Sequence, residues 1–444
     1  MRTTSVVTED ELAAYEALVA RLRAMPADQP LRMRAEKLAE VFVREGRRRR
    51  RGLDRAQAVA ADSELAAATV TGALDRPEDV PLALPATAAP VGSYRRAHKC
   101  YVCKGWYREV HGFYHSLCPA CAVENADWRA LGTDLRGRRA LLTGGRVKIG
   151  FQLALMLLRD GAELIITSRF PQDALRRFHA EPGSGEWLHR LTVVGIDLRD
   201  PRQVLGLCEQ LVTDGRPLDI LINNAAQTVR RPPEAYAVLT AGERGALPAQ
   251  VALAPGYRPS LELASPNADL AVLTTESGLL PDTEPVNSWS ARLGEIDPAE
   301  LLETQLVNSV APALLCDRLL PLLLSSPQPR RYIVNVTAVE GRFAVRNKTG
   351  GHPHTNMAKA ALNMLTRTSA AELAVQGVYM CAVDTGWITD ENPAPRKARI
   401  AAKGFRPPLD TVDGAARIYH PIVRGEAGEP IAGVFLKDYQ EAEW

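Results

Sequence analysis

The chain has 444 residues, room for two or three domains, with 46% apolar and 24% charged residues, the balance of a globular protein. A formal net charge of +2 excludes a global field that would draw the chain to nucleic acid or a membrane. No stretch reads as long and apolar enough to span a bilayer, and the early acids Glu9, Asp10 and Glu11 leave no signal-peptide core, so a cytoplasmic protein is expected.

Residues 1–72 read as a helical segment, with amphipathic helices over 9–25 and 31–45. In the first, Leu12, Tyr15, Leu18, Val19 and Leu22 share one face. The unbroken run Arg47 to Arg51 follows. Such a run could contact phosphate, but the rest of the chain is not basic, which favours a solvated helix end. Residues 73–95 are rich in Pro and Ala and read as a linker.

Residues 96–130 carry the sharpest local signal. Cys100 and Cys103 form one C-x2-C pair, Cys118 and Cys121 a second, with fourteen residues between them. Two such knuckles can place four thiolates tetrahedrally around one structural Zn2+. A redox dithiol is weaker, because two pairs occur together. His111 and His115 lie between the pairs, but four cysteines already close the shell. The module either binds a protein partner or staples the segment before it onto the main domain; about thirty residues bury little core without a metal.

From residue 137 the pattern alternates between strand and helix, which argues for a parallel sheet covered on both faces. Apolar strands are expected at 139–143, 162–168, 191–197, 218–224, 331–337, 378–384 and 431–437, and helices at 149–160, 201–213, 298–324 and 355–374. Residues 231–297 break the rhythm; a loop this long inside a compact domain is usually a lid, a binding loop or disordered. The first strand runs into TGGRVKIG, a glycine-rich turn that lets backbone N–H groups and a helix N-terminus approach a pyrophosphate.

Together with INNAA after the fourth strand, VNSV in the long helix and a lysine at 359, this turn resembles the short-chain dehydrogenase/reductase family over about residues 137–440. The resemblance implies a Rossmann-type doubly wound parallel sheet of about seven strands and pairing of subunits through helices 298–324 and 355–374, as a homodimer or homotetramer. It implies a cofactor site made of Thr143, Gly144, Arg146, Lys148, Ile149, Gly150, Ser168, Arg169, Asp197, Leu198, Asn224, Ala225, Lys359, Gly386 and Ile388. Lys148 replaces the middle glycine of the turn. Arg169 stands where family members that prefer NADP carry a basic residue, and no acid stands there for a free ribose hydroxyl, so NADP is implied over NAD.

The family's catalytic set is matched in part. Asn308 and Lys359 match, whereas the serine position is Ala338, beside Thr337, and the tyrosine position is Thr355. A threonine hydroxyl is too weak an acid to replace a phenol. His354 and His352, just before Thr355, are candidate replacements, because imidazole titrates near neutrality, and Glu340 is a further one; the alternative is that both histidines are loop residues, with Thr355 or His354 capping the helix. Two functions stay open: an NADP(H)-dependent oxidoreductase of a small-molecule substrate with altered proton transfer, or a non-catalytic nucleotide-binding sensor or scaffold that uses the zinc module for partners.

Overall fold

The computed structural model describes residues 7–86, 89–258, 274–345 and 348–444. The chain divides into two compact units, one of residues 1–64 with 94–96, the other of residues 65–93 with 97–444.

The first unit is helical. Helix α1 (Glu9–Ala24) opens with a capping box in which Thr8 and Glu11 exchange hydrogen bonds. Helix α2 (Pro30–Ala67) is 38 residues long, far longer than the 31–45 expected. The arginine run lies inside it, because arginine and alanine are strong helix formers and no proline interrupts them.

The second unit holds the sheet. Strands β1 (Gly92–Lys99) and β2 (Trp106–Val110) form an antiparallel ribbon, followed by α3 (Pro119–Trp128). The doubly wound sheet expected from the alternation follows. Its strands are β3 (Arg139–Leu142), β4 (Glu163–Ser168), β5 (Leu191–Gly195), β6 (Ile220–Asn223), β7 (Val251–Leu253), β8 (Arg331–Thr337), β9 (Val378–Asp384), β10 (Phe435–Lys437) and β11 (Gln440–Ala442). The order is β11-β10-β9-β8-β6-β3-β4-β5-β7, parallel throughout except for β11. Nine strands stand where about seven were expected. The two additions are β7, from the 231–297 insertion, pairing with β5, and β11, a hairpin return on β10.

Helices cover both faces. On one side α4 (Lys148–Arg159), α5 (Pro171–Ala180) and α12 (Thr411–Glu426) bury Leu153, Leu157, Phe178, Ile418 and Tyr419. On the other, α6 (Pro201–Asp214), α9 (Ala311–Leu324) and α10 (Pro353–Val375) bury Leu207, Leu211, Leu315, Leu319 and Leu373. Shorter helices are α7 (Ala237–Gly242) in the insertion, α8 (Pro298–Gln305) and α11 (Ala394–Ala401). The long helix expected at 298–324 is α8 and α9 joined by a π turn, Leu306–Val310. Contrary to the sequence reading, residues 298–324 do reach the length and apolarity of a bilayer span. Half of the most apolar stretch is buried, with Val307, Ala311 and Leu323 in the core, so here that composition serves packing.

The 73–95 stretch is bound along the sheet domain. Arg76 donates to the carbonyls of Pro407 at 2.6 Å and Leu409 at 2.5 Å, and the Leu82 N–H donates to Asp410 at 2.7 Å. Asp410 caps α12 through the Val412 and Asp413 amides and pairs with Arg129 at 2.6 Å; the Tyr114 hydroxyl donates to Asp413 at 2.6 Å. These acids are fully buried, so Arg129 and the amides replace the water they lost. Replacing Asp410 with Ala is expected to destabilise the fold by about 3 kcal/mol, because it strips a helix cap and leaves Arg129 short of its partner. Chemical denaturation monitored by circular dichroism checks this.

Candidate functional site

The strand order reverses between β3 and β6, and a crevice of about 540 Å³ opens at the carboxyl ends of these strands. Its floor is the β3–α4 turn. Gly144 has φ +72°, and a Cβ there would lie 2.9 Å from the Ala225 Cα. A Cβ on Gly150 would lie 2.1 Å from the Gly144 carbonyl oxygen and 2.6 Å from Asn224 Nδ2. Only glycine lets the two backbones approach this closely. Thr143 and Asn224 hold that approach: Thr143 Oγ1 accepts from the Asn224 and Ala225 amides at 3.0 Å, and Asn224 donates to the Thr143 carbonyl at 2.9 Å. Both act on the turn's shape.

Lys148 takes the left-handed conformation (φ +56°) that a glycine would adopt freely. Its ammonium crosses the crevice to Asp79 at 3.0 Å and Glu391 at 3.4 Å. Burial alone would lower its pKa, but Glu391 and Asp79 raise it above the ordinary value. Arg146 pairs with Asp173 at 2.7 Å and donates to the Ser277 carbonyl at 2.9 Å. The Arg169 guanidinium sits 4.7 Å from the Tyr236 ring centre and, among the described residues, makes no ion pair. Ser168 Oγ accepts from the Phe170 amide at 2.9 Å, at the crevice wall. Asp197 and Leu198 line the same wall; Asp197 is clamped by Arg199 at 2.6 Å, and, although burial opposes it, that partner holds the carboxyl below its usual range. Ile149 packs against Gly414.

Gly386 and Ile388 lie outside the residues lining the crevice. Ile388 is buried against Gly414, and Gly386 faces Leu409. The next residue, Trp387, donates its amide to the Tyr101 hydroxyl at 2.8 Å, so the cysteine-rich module is fastened to this rim. Thr389, Asp390 and Glu391 do line the crevice. Sequence reasoning missed Asp79, and also Asn287 and Asp282 from the insertion, which line it too. No motif marks them; they arrive through the packing of distant chain segments.

Lys359, like Gly386 and Ile388, is not among the residues lining the crevice; it is buried and donates to the Val336 carbonyl at 2.9 Å. Burial pushes its pKa down to about 8, against the pull of Glu340. Thr337 Oγ1 approaches the Lys359 carbonyl at 3.4 Å. Burial raises the Glu340 carboxyl above its usual range. The Thr355 hydroxyl is buried with no hydrogen-bond partner among the described residues. Asn308 sits in the π turn, a distortion common at functional sites, and clasps the Gln227 backbone with contacts of 2.7 and 3.0 Å.

The two histidines face elsewhere. His354 is fully buried, with Nε2 3.1 Å from a Glu300 carboxylate oxygen on α8. His352 stacks on Trp289 with ring centres 3.9 Å apart, its Nδ1 2.9 Å from the Trp289 carbonyl, and burial lowers its pKa. The structure thus brings Thr337 to the Lys359 backbone, and pairs His354 and His352 with other residues.

The sulfur atoms of Cys100, Cys103, Cys118 and Cys121 lie within 4.8 Å of one another, and no disulfide joins them. Tetrahedral bonds of about 2.3 Å would put ligand sulfurs about 3.8 Å apart, so the four fit one metal ion. His111 accepts from the Phe113 amide at 3.1 Å, and His115 contacts Thr71 Oγ1 at 2.8 Å, so both rings are engaged away from the sulfurs.

Comparison with known proteins agrees with this fold. A family model described as short chain dehydrogenase matches residues 138–238, and one described as enoyl-(acyl carrier protein) reductase matches residues 274–403. The chain belongs to the short-chain dehydrogenase/reductase family. An uncharacterized protein of Acanthamoeba polyphaga mimivirus is 34% identical over 342 residues, 73% of this chain and 71% of that one. C-signal of Myxococcus xanthus is 30% identical over 126 residues, 28% of this chain and 74% of that one. A short chain dehydrogenase from Burkholderia cenocepacia, solved in complex with NADP, is 21% identical and covers 68% of this chain and 97% of its own, with a TM-score of 0.47.

The folded-state pKa of Lys359, about 8, lies below the unfolded value of about 10.4. Its contribution to stability is therefore least favourable below pH 8 and improves as pH rises towards the unfolded value. Carbon-13 NMR of reductively methylated protein, with Lys359→Arg to assign the signal, is expected to show a titration midpoint near 8.

Proposed function

We propose that this protein is an NADP(H)-dependent oxidoreductase acting on a small-molecule substrate, with proton-transfer residues unlike those of its family. One observation carries the reading: a glycine-cradled crevice bordered by Arg169, a guanidinium without a carboxylate partner among the described residues. The close backbone approach at Gly144 and Gly150 shapes the turn, and the α4 N-terminus would offer amides to a pyrophosphate. Arg169, with Arg146 and Ser168 beside it, would bind the 2′-phosphate; Asp197 and Leu198 would border the adenine. When bound, the nicotinamide supplies or accepts a hydride.

Lys359 would turn from the Val336 carbonyl to the nicotinamide ribose. Thr355 cannot serve as the acid. Glu340 is better suited: burial holds its carboxyl protonated to higher pH than usual. Asn308 fixes the Gln227 backbone and so shapes the crevice wall. We also propose Zn2+ for the four thiolates, as a structural ion with no open position, and self-association along α8 to α10, where Leu302, Val310, Met357 and Met364 are exposed. A cytoplasmic setting suits free thiols. The second reading, a nucleotide-binding sensor, rests on the missing phenol at Thr355.

Titration with NADPH, followed by nicotinamide fluorescence, tests the main reading. Arg169→Ala is expected to weaken NADPH about tenfold and leave NADH unchanged, since only the former carries the extra phosphate. No binding of either nucleotide would remove both readings; binding without turnover over a carbonyl and alcohol panel would favour the sensor. Freshly purified protein is expected to hold one zinc per chain by atomic emission, and Cys121→Ser to lose it along with stability.

A further inference from the structure

Asp79 has no counterpart in the family pattern, yet it stands inside the crevice. It too is in the left-handed region, with φ +64°. For a residue other than glycine this conformation costs about 1 kcal/mol, so the contacts it makes must hold it there. Those contacts are two. One carboxylate oxygen lies 3.0 Å from Lys148 Nζ, and the other accepts from Thr389 Oγ1 at 2.9 Å. The chain on either side is fixed: Arg76 bonds the Pro407 and Leu409 carbonyls, Glu78 pairs with Lys397, and Leu82 bonds Asp410.

The result is an anion presented on a tethered strap to a cation at the middle position of the glycine-rich turn. A carboxylate bridging an ammonium and a hydroxyl makes the same contacts as two oxygens of a phosphate. Glu391 is the other carboxylate facing Lys148, at 3.4 Å, so the ammonium already has two partners and a diphosphate must compete for it.

We propose that Asp79 is a built-in anion that occupies the Lys148–Thr389 site until a diphosphate displaces it, so that nucleotide entry is coupled to release of the strap. The proposal rests on the nucleotide reading above and deepens it. Lys148 then serves two successive partners: the strap in the free protein and the diphosphate in the complex. The anchors at Arg76 and Leu82 keep the strap tethered while its tip moves.

The full-length protein and Asp79→Asn are titrated with NADPH by nicotinamide fluorescence. Removing the competing charge is expected to tighten binding about fivefold, the worth of one partly buried ion pair. In a Lys148→Met background the same change is expected to have no effect, because its target is gone. Hydrogen exchange of the wild-type protein gives a second readout: the amides of residues 78–80 are expected to exchange about tenfold faster with saturating NADPH, while the Leu82 amide on Asp410 stays unchanged. Unchanged or weaker affinity in Asp79→Asn, or unchanged exchange in the strap, while the wild type still binds NADPH, overturns the latch and leaves the nucleotide reading standing. Failure of both proteins to bind NADPH, NADP+ or NADH overturns both.

Discussion

The arrangement depends on a pair of buried carboxylates, Asp410 and Asp413, at the start of α12. A carboxylate without water must be paired and hydrogen-bonded. Here the partners come from two distant stretches: Arg129 and the Tyr114 hydroxyl from the cysteine-rich module, and the Leu82 amide from the strap. Each needs the others, because removing one leaves a charge or a dipole stranded. This is why the strap and the cysteine-rich module are built into the sheet domain. It also fixes the strap next to the crevice, so that Asp79 arrives where Lys148 can meet it.

The crevice shows a similar dependence on close contact. Gly144 and Gly150 bring two backbones together so tightly that no side chain fits at either position. Lys148 breaks the glycine pattern and tolerates a strained backbone, held by two carboxylates across the gap. The family's tyrosine and serine positions hold Thr355 and Ala338, and Lys359 is buried against the Val336 carbonyl, a burial that lowers its pKa. The insertion is in part structural: β7 extends the sheet, Tyr236 carries Arg169, and Trp289 covers His352.

Much of this was determined by local sequence. Apolar strands alternating with amphipathic helices require a parallel sheet with two covered faces, and a glycine-rich turn after the first strand sets a crevice at its end. The cysteine pairs likewise bring four sulfurs together, since their spacing belongs to tight knuckles. Tertiary structure alone decided the rest. His354 precedes Thr355 in the chain, yet one step along a helix turns a side chain by about 100°, and it meets Glu300. Gly386 and Ile388 fit the family pattern, but Tyr101 and Gly414 crowd that rim. Asp79 sits in a Pro-rich stretch with no motif, and its role exists only because long-range ion pairs bring residues 79, 148 and 391 to one point. Periodicity and turn chemistry act over a few residues and are legible in the sequence. Electrostatic partnerships between segments hundreds of residues apart depend on the folded geometry, so no local pattern records them.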